Sequence, residues 1–146
     1  MACKTETREI AGKQVFVRQW PANKAMDMQI GLLTAMGDES LAFVMGDWNF
    51  GNLMYVLQRV EKQVFLPFVK ECISYARIDG KEINAANFDV ELSGELKFIY
   101  DLFSFVVEVN FKDFFVEGLA VMDEIEKQKK QKMLLQSQTT PTEQSQ

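Results

Sequence analysis

Residues 14–20, QVFVRQW, alternate Val15, Val17 and Gln19 against Phe16, Arg18 and Trp20, and Pro21 ends any ladder; the pattern predicts a short edge strand. From Ala22 the period lengthens. Ala25, Met28, Leu32, Ala35 and Met36 recur at steps of three and four, which predicts a first helix closed by Gly37. Residues 46–52, GDWNFGN, are rich in turn formers and offer Asn49 or Asn52 as an N-cap. Leu53, Leu57, Val60, Val64 and Phe68 then form one stripe. This predicts a helix from about residue 53 toward Tyr75, with a kink or break near Phe65 because Pro67 removes a backbone donor. Asp79-Gly80 between two extended runs predicts a type I′ hairpin, which together with residues 14–20 would make a sheet of two or three strands.

The most apolar stretch is FIYDLFSFVVEVNF, residues 98–111. At 100° per residue, Lys97, Asp101, Ser104 and Glu108 fall in one narrow stripe facing water. Leu96, Ile99, Tyr100, Phe103 and Val107 cover one side, and Phe98, Leu102, Phe105 and Val109 the other. Such a helix must be covered on two sides, by its own domain or by another molecule. After Asn110-Phe111 the pattern predicts a separate last helix carrying Phe114, Phe115, Leu119, Met122 and Ile125, fraying into a Lys/Gln-rich stretch. The resulting expectation is a mainly α fold, a compact helical bundle with a small β-hairpin or short N-terminal strand element. Its expected divisions are a flexible N-terminus over 1–13, one helical domain over 14–132, and a disordered polar tail over 133–146, of which residues 136–146 have no apolar content to support ordering.

Composition narrows the chemistry. With 146 residues and 47% hydrophobic content the chain has the size of one domain with a real core. Asp101 and Glu108 interrupt the apolar stretch well short of the roughly 20 residues a membrane span needs, and the polar N-terminus lacks a secretory apolar region. No membrane is expected. The net charge of −5 and the single lysine cluster, Lys127, Lys129, Lys130 and Lys132 at a helix end, argue against nucleic acid. There is no histidine, which removes the commonest general base and metal ligand together. Cys3 and Cys72 read as two unpaired thiols, and the loop after Asp79 does not place oxygen ligands as a calcium loop would. Asp47, Asp89 and Glu91 fit turns and caps. No phosphate loop or nucleophile elbow is present, so no enzyme, cofactor or metal site is expected. What remains is surface chemistry: twelve phenylalanines and eight methionines, side chains suited to apolar partners, with Met26, Met28 and Met54 as candidates to form a groove for a partner's hydrophobic helix or a second copy of the chain.

The order of segments resembles the tail assembly chaperones of long-tailed bacteriophages. The likeness lies in VFVRQWPANKAMDMQIGLL, in ISYARIDGKEI and in FDVELSGELKFIYDLFSFVVEVNFKDFF, from about Gln14 to Phe115. The polar tail and residues 48–51 have no counterpart in that pattern. The resemblance implies a non-catalytic protein of the infected host cytoplasm, absent from the mature virion. It would bind the tape measure protein and keep it soluble while the tail tube polymerises. It also implies a longer frameshifted form that engages the tail tube protein, for which the codons at Lys129-Lys130 are a candidate slippery site. Association of the chain with further copies of itself is open. The alternatives are a small structural virion component, such as a tail completion or connector protein packing through its aromatic helix, and a helical regulator of a host protein.

The residues assigned to partner binding are Met28, Leu32, Phe103, Phe105, Phe111 and Phe115. The same side chains would otherwise fill the bundle core. Glu108 and Asn110 are expected to orient the junction between the last two helices, and a buried Asn110 would need hydrogen-bond partners there.

Overall fold

The computed structural model describes residues 3–144, with side chains through Ser137. Two units make up the chain, residues 1–112 and residues 113–146. In chain order the elements are β1 Thr5–Ile10, β2 Lys13–Arg18, α1 Ala22–Met36, a short 3-10 turn at Gly37–Glu39, α2 Ser40–Met45, α3 Phe50–Arg59, α4 Lys62–Ile73, β3 Ala76–Ile78, β4 Lys81–Glu82, α5 Phe88–Leu92 and α6 Leu96–Gln144. The fold is mainly α with a small antiparallel sheet of order β1-β2-β3-β4.

The sheet corrects the expected flexible N-terminus. Thr5–Ile10 pairs in register with Lys13–Arg18 through a two-residue turn, Ala11-Gly12, in which both residues have positive φ. Nothing in the TETREI composition announces a strand, because its alternation is polar on both faces and the pairing is set by the apolar partner strand. β2 is therefore interior, between β1 and β3, and its Val15 and Val17 are fully buried. The Asp79-Gly80 turn forms as expected, with φ of 50° and 81°.

α1 has the predicted bounds, and Lys24 ties it to Glu71 of α4 through an ion pair. Gly31 lets the two helices approach: a Cβ there would stand 2.9 Å from Cε2 of Phe68. The break between α3 and α4 falls at Val60-Glu61, not near Phe65. Val60 is extended at φ −75°, ψ 151°, and α4 then runs without a break through Pro67 in its second turn. At the start of α3, Asn49 and Asn52 cap each other's backbone N–H groups at 2.9 Å.

The expected break at Asn110-Phe111 is absent. Asn110 Nδ2 donates to the Val106 carbonyl within the helix (2.9 Å), while its Oδ1 accepts from the Trp20 backbone N–H (2.8 Å). Asn110 thus has the partners its burial demands, as a latch on the β2–α1 connection and not as a turn residue. The helix assignment also runs through Gln144, beyond the point where composition leads one to expect an unordered tail. Leu, Lys, Gln and Glu are strong helix formers, and Asp123 pairs with Lys127 one turn on. Residues 145–146 and the side chains from 138 onward lie outside the described residues.

The core of the first unit is built on residues 98–111 of α6. Phe103 stacks near Phe43 of α2 (5.9 Å) and meets Phe68 of α4 edge-on (6.0 Å). Half of the stripe expected to face water does not: Lys97 and Asp101 reach solvent, Ser104 and Glu108 are covered. Ser104 is buried and donates to the Phe43 carbonyl at 2.7 Å. Glu108 is largely covered, with Arg8 Nη1 2.7 Å from its Oε2 as a charge pair lacking hydrogen-bond alignment. Its carboxylate also occupies the space over Gly46, where a Cβ would stand 2.9 Å from Oε1. Arg8 lies over the Phe105 ring and Lys13 over Phe98, so the hairpin caps α6 with the stems and charges of two basic residues.

Candidate partner-binding surface

Five of the six residues assigned to partner binding lie inside the first unit. Met28, Leu32, Phe103, Phe105 and Phe111 are each no more than 3% exposed, and Phe111 tilts against Trp20 at 5.6 Å. Phe115 belongs to the second unit, is half-buried, and meets Phe114 edge-on. The aromatic helix is therefore covered by its own domain over residues 98–111. Surface available to another polypeptide lies elsewhere.

It lies first on α1. Met28, Leu32 and Ala35 point inward. Half a helical turn away, Met26, Ile30 and Leu33 form a second apolar row at the same i, i+4, i+7 spacing, and all three are exposed. α3 repeats the device: Leu53 and Val56 are buried, whereas Phe50, Met54 and Leu57 form an exposed row. Of these positions the sequence had offered Met26 and Met54 for a groove; Ile30, Leu33, Phe50 and Leu57 join them because each helix carries more apolar positions than one inward stripe can use.

Between α1 and the α3–α4 pair runs a groove made of two hollows of ≈ 400 and ≈ 360 Å³ that share Thr34 and Val64 in their walls. One end is walled by Tyr55 and Arg59, the other by Ile30, Pro67 and Phe68. Gly31 contributes to the floor, and a side chain there would collide with Phe68. Acidic groups dominate the rim: Asp38 and Glu61 at one end and Asp27 at the other, where Glu71 is already paired with Lys24, against Arg59. An apolar trough with a negative rim suits an amphipathic helix flanked by lysine or arginine.

A further hollow of ≈ 660 Å³ lies over the solvent side of β2 and β3 between Phe16, Arg18, Tyr75 and Arg77. Arg77 already pairs with Glu82, and no exposed apolar row leads into it. Among the described residues no group of three or more acidic or cysteine side chains could hold a metal ion, and no helix is long and apolar enough to cross a membrane. Cys72 is fully buried, and desolvation pushes its thiol well above the ordinary range, which suits a packing residue and not a nucleophile.

No curated protein and no solved structure matches the chain. A family model described as phage tail assembly chaperone protein matches residues 11–121, which takes in β2 to β4, the groove helices and the aromatic part of α6, and the chain belongs to that family.

Proposed function

We propose that this protein binds the phage tape measure protein and keeps it soluble during tail tube polymerisation, using the groove between α1 and α3–α4 and the exposed apolar rows beside it. It acts by covering apolar surface and performs no reaction. The observation that carries this reading is an apolar groove left open on a unit whose core is already filled, in a chain of the tail assembly chaperone family. A protein that worked alone in water would gain by making Met26, Ile30 and Leu33 polar. The occupant is an amphipathic helix with basic flanks, matched to Asp27, Asp38 and Glu61. The same reading places the work in the host cytoplasm, before the virion is complete, with a longer frameshifted form engaging the tail tube protein.

The test is co-expression with the tape measure protein. Wild-type chain should raise its soluble yield several-fold. Ile30→Glu with Val64→Glu should remove that gain while leaving the variant's own helicity and melting unchanged. Equal soluble yield with and without wild-type chain would overturn the chaperone reading. A fully active double variant would move the site off the groove.

A further inference from the structure

The second unit is a helix whose apolar side chains lack cover. Phe114, Leu119, Met122 and Ile125 are exposed, and so are Met133 and Leu134. At 100° per residue Met133 returns to the stripe of Phe115, Leu119 and Met122, so the helix is apolar at both ends of one face. Its charges divide sharply. Residues 113–126 hold Asp113, Glu117, Asp123, Glu124 and Glu126 with no base, and residues 127–132 hold Lys127, Lys129, Lys130 and Lys132 with no acid.

We infer that this helix pairs antiparallel with the same helix of a second copy of the chain. An alignment that seats Met122 against Met133 of the second copy sets Glu126 opposite Lys129 on the same stripe and Asp123 near Lys130, and does so twice by symmetry. The parallel alternative sets acids against acids and lysines against lysines along the same length, which like-charge repulsion opposes. A helical segment of this kind gains most of its stability from packing an apolar face, and the charge division selects the partner and its direction. The surface is separate from the groove of the first unit, so the two proposals fail independently.

Sedimentation of the full-length chain tests it. A dimer should form in the micromolar range, and its dissociation constant should rise several-fold between about 0.05 M and about 0.5 M salt as the facing charges are screened. Leu119→Glu with Met122→Glu should give a monomer with an unchanged melting transition, because both positions are exposed. Reversing Lys127, Lys129, Lys130 and Lys132 to Glu should also weaken association, and mixing that variant with one whose Asp123, Glu124 and Glu126 are changed to Lys should restore it. A wild-type chain that stays monomeric up to about 200 µM would show the stripe reserved for another polypeptide and would overturn the inference. So would a dimer that tightens with salt, or one that survives the Leu119/Met122 change.

Discussion

Phe105 and Cys72 set the limits of what single side chains do here. Phe105 is 1% exposed beneath the Arg8 guanidinium, so Phe105→Asp would empty the space of a ring and bury a carboxylate beside an Arg8 already engaged with Glu108. The expected outcome is loss of cooperative folding, a cost of at least about 4 kcal/mol, seen as a missing thermal transition and collapsed helicity. Retained helicity would place Phe105 on a surface after all. For Cys72, burial disfavours the thiolate, so a thiol reagent at mildly alkaline pH should modify Cys3 promptly and Cys72 only after denaturation. Rapid labelling of both thiols in the native protein would contradict the packing described. That an aromatic residue of residues 98–111 is apolar was plain from the sequence. Whether it faced inward was not, because a wheel apolar on two sides gives no single inward direction, and Ser104 and Glu108 turned out to be covered by α2 and β1.

The elements show where local signals sufficed and where they were overruled. α1 and the Asp79-Gly80 turn were legible because spacing, Gly37 and positive φ are fixed by residues only a few positions apart. β1 was not, since its partner strand and not its own composition makes it a strand. Its turn carries a cost that can be relieved: Ala11 sits at φ 51°, a region where a Cβ crowds the following carbonyl. Ala11→Asn, the residue favoured at this position of a type I′ turn, should raise stability by about 0.5–1 kcal/mol, read as a higher melting temperature. A lower melting temperature would mean that the turn is not type I′ in solution. The α3–α4 boundary was misplaced for a related reason. Pro67 is locally disruptive, but a helix restarted at Lys62 tolerates it at the loss of one backbone bond.

At the scale of the whole molecule the residues that fill the core end at Phe111, and the first unit ends at Lys112. A chain truncated after Lys112 should therefore fold alone, with a melting temperature within a few degrees of the full-length protein. Failure to fold would mean that residues beyond 112 are needed for the core. The sequence by itself determined the class: periodicity set the helices, and the order of segments pointed to the family that the comparison assigns. Tertiary structure alone decided which apolar residues are spent on folding. Periodicity reports that a face is apolar but not what covers it, and cover depends on elements distant in sequence. Phe103 is closed in by α2 and α4, and Met28 lies on the inward face of α1, while Ile30, two residues on, is left facing water.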